Sequence, residues 1–434
     1  MAAKVRSLLS KQKSFFRKIY SFEIPDSKEF DETVCNKIRQ TERLTIFFQI
    51  VRNGLNQSDS VEVDTFGFRR FNWMDWLISI LCLINAIRCG ILTQNTNDSV
   101  AVYLGNIFFR DAKGYVLLLW CLVATIGLGF FREWLMTLEA KGKFKVLSVW
   151  NVCRNGFIPV NLQMNELNTK RFRFTVYLVT LFVYWTMLAT PLFCIFLYLS
   201  LLLNNPWAYQ IHGLTLFSLL WLPVFILSLS TLLNTIMGFG WYIMCSLYFH
   251  LYRLRDLIDC ADFLLNNLKH GLFAEKDMQL FCSQIIHHLN DFEFASHRLR
   301  YVLLGYFSVI ALTGNFDVFI GLILRVHTVS FCNLLATAGF IILLSVGIFG
   351  LVFGSFIAQL GTLTIRLHQL SCRNTLSTQS ASKVLEIMDR AAGPYNGLKI
   401  GDFVTLEKQF FILFTLENIS LLMLFTCNIG PLLN

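Results

Sequence analysis

The sequence predicts an all-α membrane protein with seven transmembrane helices, a cytoplasmic N-terminus and an extracellular C-terminus. Its 434 residues are 55% hydrophobic and only 15% charged, a balance typical of membrane proteins rather than of soluble domains. About 20 consecutive apolar residues are needed to cross a hydrocarbon core of ~30 Å. Seven stretches reach that length, and we call them spans 1 to 7: Met74–Thr93, Gly114–Thr137, Phe172–Leu203, Ile211–Phe249, Tyr301–Leu324, Val329–Ile365 and Thr405–Ile429.

The distribution of Lys and Arg sets the predicted orientation. Of 37 such residues, 32 lie before span 1, in the connections after spans 2, 4 and 6, or at the edges of those connections. Only 3 lie in the connections after spans 1 and 5, and Arg88 and Arg132 lie within spans. Because Lys and Arg collect on the cytoplasmic side, the N-terminus is expected there. G-protein-coupled receptors have the opposite orientation, so the charge pattern argues against that class.

The connection between spans 1 and 2 carries the sequon Asn97-Asp98-Ser99. This connection is the first one predicted to lie outside the cell. Asn97 is therefore a predicted glycosylation site, since glycosylation takes place on that side of the membrane.

The chain divides into two predicted parts. Residues 1–73 form a cytoplasmic N-terminal leader with short helices, in which an amphipathic pattern begins at Ser27. Residues 74–434 form the membrane domain. Between spans 4 and 5, apolar stripes at helical spacing run from Trp241 to about Asn267 and from Glu275 to Arg300. These stripes predict long intracellular extensions, with anchor helices at about 241–300 and 381–404 and a terminal pore-type helix at 405–430.

Several classes of function are disfavoured by the absence of their motifs. The sequence contains no P-loop, no GxGxxG after a strand, no HExxH and no nucleophile elbow, so we expect neither an enzyme nor a cofactor. The Cys and His spacings indicate no metal site. The net charge of +9 is explained by basic loops beside anionic lipid, so the bilayer rather than a nucleic acid is the expected partner.

The segment before span 7 supplies the closest likeness to a known family. A short helical pattern at Lys383–Arg390 is followed by a break at Gly393-Pro394, and Gly397–Leu406 then leads into the last span. This pattern and the seven-span topology resemble the insect gustatory and odorant receptor superfamily over essentially the whole chain. In the last span, the family carries a signature of Thr-Tyr, five apolar residues and Gln-Phe. The corresponding stretch of this chain, Asn418–Thr426, does not contain it.

The resemblance implies a divergent, gustatory-receptor-like protein of the plasma membrane. It implies a ligand-gated, non-selective cation channel, assembled as a homo- or hetero-tetramer around a pore lined by the seventh helices. A small-molecule ligand would bind in the outer half of each bundle. Two alternatives stay open: a non-conducting scaffold for assembly or binding, and a secondary transporter, which is disfavoured by the odd number of spans and the lack of an internal repeat.

Glu417 is the main candidate for the pore. An uncompensated carboxylate within a span costs about 2.5–3.5 kcal/mol, so it should face water, a partner or the bundle interior. It would favour cations in a pore, or act as a structural carboxylate that is hydrogen-bonded to a neighbouring helix. The predicted pore-lining residues are Glu417, Leu421, Leu424 and Phe425.

The candidate ligand-binding residues are Tyr184, Trp185, Trp221 and Asp317. Tyr184 and Trp185 precede Pro191, which can kink span 3 and open a cavity, although buried aromatic residues more often serve packing. Asp317 would line a cavity or pair with Arg88 of span 1. Arg132 and its neighbour Glu133 are expected to reach towards the membrane interface.

Overall fold

A computed structural model describes residues 28–51, 73–95, 97–111, 113–141, 153, 156–270, 275–373, 377–393 and 397–428. Most of the predicted leader 1–73 lies outside these ranges. Within the described ranges, seven helices are long and apolar enough to cross a membrane, which confirms the prediction of an all-α, multi-pass membrane protein. They are Trp73–Gln94, Gly114–Ala140, Glu166–Asn204, His212–Lys269, Glu275–Val318 with a π-helical continuation at Phe319–Leu324, Val329–Arg373 and Phe410–Asn428.

Three of the seven helices are more than twice as long as the about 20 residues that a membrane crossing requires. The span 4 helix has 58 residues, which corresponds to a length of about 87 Å at 1.5 Å per residue. The helices of spans 5 and 6 have 44 and 45 residues. Their excess length lies at the end of the bundle that carries residues 28–51 and the connections after spans 2, 4 and 6. We call this end the charge-rich end and the opposite end the charge-poor end.

The terminal helix begins five residues later than the sequence predicts. Before it, β1 (Lys399–Ile400) and β2 (Val404–Thr405) form a two-stranded antiparallel ribbon. Gly401 turns the ribbon with a positive φ of 61°, a conformation that glycine adopts without a steric penalty. The ribbon is held on span 5 by an ion pair of 2.6 Å between Arg300 Nη1 and Asp402 Oδ1. The helix therefore starts at Phe410, and the predicted start at 405 is wrong.

The remaining helices connect the spans or cover them at the charge-rich end. Those that connect spans are Asp98–Tyr103, Pro159–Leu162, Trp207–Gln210 and Thr378–Ala392. The N-terminal helix Lys28–Phe47 packs on span 3, where the rings of Phe30 and Tyr177 lie 5.3 Å apart. Thr45 and Tyr242 share a buried hydrogen bond of 2.9 Å, which joins the same helix to span 4. The predicted amphipathic helix is thus an integral part of the packed bundle.

The extensions of spans 4, 5 and 6 pack together at the charge-rich end. Leu254 and Ile285 are fully buried at 0% exposure. Arg253 and Asp291 form an ion pair of 3.3 Å between the first two extensions. Phe356 of span 6 stacks on Phe292 of the span 5 extension with 3.9 Å between ring centroids. The apolar stripes seen in the sequence therefore cover one another.

Arg132 occupies a buried position between spans 1 and 2, and not the interfacial position that the sequence predicts. Only 1% of its side chain is exposed, and its Nη2 atom donates a hydrogen bond of 2.6 Å to the fully buried Asp75 of span 1. Nη1 donates to Glu133 at 2.8 Å, and Nη2 also lies 3.3 Å from the backbone oxygen of Gln49. The expectation that Arg132 reaches towards the interface is wrong, because a carboxylate on span 1 neutralises it inside the protein.

Replacing Leu254 or Ile285 with Asp should prevent stable packing at the charge-rich end. Each change would bury a carboxyl group in an apolar contact and would lower the free energy of unfolding by at least ~3 kcal/mol. Phe263→Asp is the matched control, because Phe263 is 62% exposed on the span 4 helix. Size-exclusion chromatography in detergent measures the outcome. Monodisperse protein from all three variants would contradict this packing.

Candidate functional site

The terminal helix Phe410–Asn428 is the least buried of the seven spans. Only 11% of its apolar window is buried, against 28–50% in the other six. Its buried and half-buried side lies against spans 5 and 6, and most of its remaining surface is exposed. A membrane helix with so little burial within its own chain has a large face left for lipid or for other subunits.

Two glycines of span 6 let the start of the terminal helix approach closely. A Cβ atom at Gly354 would lie 2.5 Å from the backbone carbonyl carbon of Glu407. A Cβ atom at Gly350 would collide with the ring of Phe410. Small residues at such positions allow the backbones of membrane helices to come together without loss of van der Waals contact.

Polar and aromatic contacts hold the middle of the terminal helix against span 5. Asn315 Nδ2 donates a hydrogen bond to Asn418 Oδ1, and both side chains are buried. Nearer the charge-poor end, the ring of Phe425 lies 4.9 Å from Phe316 and 5.6 Å from Phe319 between centroids. The terminal helix is therefore coupled to span 5 at two levels.

The four predicted pore-lining residues divide between two faces of this helix. Glu417 and Leu424 are exposed, Leu421 is half-buried, and the three follow one row along the helix. Phe425 is 8% exposed and lies about 80° around the helix from Glu417. The structure thus turns Phe425 towards its own bundle, where Phe316 and Phe319 supply its contacts.

An apolar groove lies between spans 2 and 5, beside these contacts. Its volume is about 240 Å³. It extends from near the charge-poor ends of both spans towards the middle of the bundle. The lining residues are Val116, Leu119, Trp120, Val123, Ala124, Gly127, Leu128, Val309, Leu312, Thr313, Phe316, Phe319 and Ile320.

None of the predicted ligand-binding residues lines this groove, although Asp317 adjoins Phe316. The sequence did contain a signal for it. Ala124 and Gly127 are small residues in a span that is otherwise rich in large side chains. Such residues leave space beside a helix, and only the position of span 5 shows that the space becomes a groove.

The candidate residues of span 3 lie near the charge-rich part of the bundle. The ammonium group of Lys37 sits 3.8 Å from the centroid of the Tyr184 ring, an arrangement typical of a cation–π contact. Trp185 is 60% exposed and lies 5.7 Å from Tyr184 between ring centroids. Tyr184 is therefore engaged by the N-terminal helix, and Trp185 faces outward.

Trp221 lies at the charge-poor end. Its indole N–H donates to the backbone oxygen of Tyr103 at 3.3 Å, and the Arg88 guanidinium lies 5.0 Å from its ring. Arg88 also donates hydrogen bonds of 2.7 Å to the carbonyls of Leu104 and Gly105. Trp221 and Arg88 thus hold the first connection on the bundle, at a different depth from Tyr184.

Asp317 is 4% exposed, and its Oδ1 atom has no hydrogen-bond partner among the described residues. It packs against Gly339 of span 6, where an added Cβ atom would lie 2.9 Å from Asp317 Cβ. The alternative is an ion pair between Asp317 and Arg88. The Arg88 guanidinium instead donates hydrogen bonds to backbone carbonyls of the first connection.

Asn97 occupies the N-cap of the helix Asp98–Tyr103. Its side-chain oxygen accepts a hydrogen bond of 3.0 Å from the Ser99 backbone N–H, and the residue is exposed. An exposed asparagine at the charge-poor end is accessible to a glycosyl group, and its glycosylation stays a prediction.

Two histidines are buried between the extensions of spans 4 and 5. His250 and His288 are 3% and 0% exposed, with 5.8 Å between ring centroids. Burial and, to a smaller extent, the nearby Arg253 charge together lower the pKa of His250 to about 3. Burial, His250, Arg253 and His287 lower the pKa of His288 well below its usual value. Both rings are thus uncharged near neutral pH. In the described part of the chain, no group of three or more His, Cys, Asp or Glu side chains is arranged to hold a metal ion.

No protein-family model matches the chain, and no curated protein sequence matches it.

Replacing Gly354 with Ala should loosen the contact between span 6 and the terminal helix. The added methyl group would meet the Glu407 backbone, and we expect a loss of about 1–3 kcal/mol in the free energy of unfolding. Gly361→Ala is the matched control in the same helix, because no described atom lies within 4 Å of a Cβ atom added there.

Glycine lowers helix stability by roughly 0.5–1 kcal/mol relative to alanine, so the control should be neutral or stabilising. Thermal unfolding in detergent compares the two variants. Equal melting temperatures would show that the close approach at Gly354 does not contribute to the stability of the protein.

Proposed function

We propose that this protein is a ligand-gated cation channel, assembled from several copies whose terminal helices surround a shared pore. The observation that carries the proposal is the position of Glu417. This carboxylate lies eight residues into a span and is exposed on a helix that is little buried within its own chain. No described residue forms an ion pair with it.

The cost of leaving Glu417 against lipid argues for assembly. An ionised carboxylate near the middle of a bilayer costs about 2.5–3.5 kcal/mol by insertion scales. In an assembly of four copies, four such costs would be removed if the carboxylates faced a water-filled axis. A ring of carboxylates at a narrow point favours cations over anions. Glu417, Leu421 and Leu424 would then line the pore, and Phe425 would attach each helix to span 5.

The resemblance to insect gustatory and odorant receptors supports the same proposal from the topology. It suggests a homo- or hetero-tetramer in the plasma membrane, with the C-terminus outside and a small molecule as the activating ligand. The family signature missing from the last span favours the second candidate, a non-conducting scaffold of the same architecture. Oligomeric state and conduction together separate the two.

Glu417→Gln should lower the cation conductance of the reconstituted protein severalfold and weaken its preference for cations over anions. The neutral amide no longer attracts cations, while its size is unchanged. Glu417→Asp is the control, because it keeps the charge and should retain the cation preference. Unitary currents in planar bilayers provide the measurement.

The outcomes of these recordings distinguish the channel from the scaffold. Identical conductance and ion preference in wild type and Glu417→Gln would remove this residue from the pore. Wild-type tetramers that carry no current with any tested ligand would favour the scaffold.

The proposed orientation is tested separately from conduction. In intact cells, a C-terminal tag should be digested by external protease and an N-terminal tag should be protected. Treatment with a glycosidase should shift the mobility of wild type but not of Asn97→Gln. Termini on the same side would contradict the orientation, and an unshifted wild type would contradict glycosylation at Asn97.

A further inference from the structure

The groove between spans 2 and 5 has a closed floor and an open rim. Leu128, Phe319 and Ile320 form much of the floor, and each is at most 3% exposed. Leu119, Val123 and Leu312 form the rim and are 44–45% exposed. Because both walls are membrane spans, the open side of the groove faces the hydrocarbon region. A molecule can reach the floor sideways, from the bilayer.

The residues that line the groove disfavour a charged ligand. Not one of the lining residues carries a charged side chain, and only Trp120 and Thr313 have a polar side-chain atom. The Thr313 hydroxyl donates to the Val309 carbonyl of its own helix at 2.8 Å. A ligand charge placed here would find no counter-charge and would lose its hydration. The volume of about 240 Å³ suits a short alkyl chain or a small ring system.

We propose that this groove is a binding site for an uncharged, apolar small molecule that enters from the bilayer. The binding claim stands on the groove itself. The further claim, that the occupant opens the channel, rests on the proposed function.

The floor of the groove supplies a route to the terminal helix. Phe316 and Phe319 line the groove and also touch Phe425, with ring centroids 4.9 Å and 5.6 Å apart. One residue away, Asn315 is hydrogen-bonded to Asn418. An occupant that displaces Phe316 therefore acts on the same helix that carries Glu417. Packed aromatic contacts have discrete alternative arrangements, so a small displacement can favour a second position of that helix.

Filling the groove tests the binding claim. A Cβ atom added at Gly127 meets no described atom within 4 Å, and Gly127 lines the groove. Gly127→Leu should therefore occupy the groove without a clash. Gly129→Leu is the matched control, because Gly129 has equally open space two residues away and does not line the groove. Both changes remove a helical glycine, so their effects on helix stability should be alike.

The probe is a medium-chain alkyl alcohol that carries a diazirine, added to the full-length protein in lipid nanodiscs. After irradiation, adducts are mapped by mass spectrometry. Wild type and Gly129→Leu should show saturable labelling at 116–128 and 309–320, displaced by excess decanol and not by a decyl ammonium salt. In Gly127→Leu, the labelling at a subsaturating probe concentration should fall by about tenfold, equivalent to ~1.4 kcal/mol of affinity.

Three results would overturn the binding claim: labelling that does not saturate, labelling that is equal in Gly127→Leu and wild type, or displacement by the charged compound. A change in oligomeric mass in Gly127→Leu alone would also overturn it, since the groove would then be an interface between copies.

Current recordings test the proposed channel separately from the proposed binding site. Phe425→Leu should keep saturable labelling but reduce ligand-activated current, because it removes the ring contacts with Phe316 and Phe319 and leaves the rest of the groove lining unchanged. Saturable labelling in a protein that never conducts would leave the binding site intact and contradict the channel. Unchanged activation of Gly127→Leu by the same alcohol would contradict the inference and leave the channel intact.

Discussion

Polar groups inside the hydrocarbon region are stabilised chiefly by partners within the protein, and this constraint organises much of the bundle. Water is absent there, so an unpaired donor or carboxylate costs several kcal/mol. Asp75 neutralises Arg132 between spans 1 and 2 at 2.6 Å. Arg88 is bonded to two backbone carbonyls of the first connection. The Asn315–Asn418 hydrogen bond joins spans 5 and 7. The contacts between spans limit how far the helices can slide or rotate, which apolar packing alone does not, and the Arg88 contacts fix the first connection on span 1.

Glu417 departs from this pattern, and the proposed function follows from that departure. Its helix is held by the close approach to span 6 at Gly354, by Asn418 and by Phe425, all on or near one side. The other side carries the exposed carboxylate of Glu417, which forms no ion pair with any described residue. A helix attached by few contacts also moves at a lower energetic cost than a fully packed one. The same geometry therefore suits a pore-lining element and a moving one, and the groove beside Phe316 lies where a ligand would influence it.

Particular residues show which parts of the fold could be predicted from the sequence. The apolar windows located all seven spans, because about 20 apolar residues are needed for a crossing whatever the neighbours are. The stripes around Leu254 and Ile285 correctly indicated buried faces. The start of the terminal helix was misplaced, because β1 and β2 pair through backbone hydrogen bonds that hydropathy does not register. The role of Arg132 was misread, since its partner Asp75 lies 57 residues earlier in the chain.

The sequence by itself determined the class of protein, the number of spans and the predicted orientation, because these depend on local hydropathy and on the sign of the charges in each connection. Tertiary structure decided which faces of the spans meet. Glu417 and Phe425 are both plausible pore residues when the helix is considered alone, and only the position of span 5 separates an exposed carboxylate from a buried ring. The groove is likewise decided by tertiary structure. Small side chains at Ala124 and Gly127 create space on one helix, but a binding site exists only where a second helix closes that space on the other side.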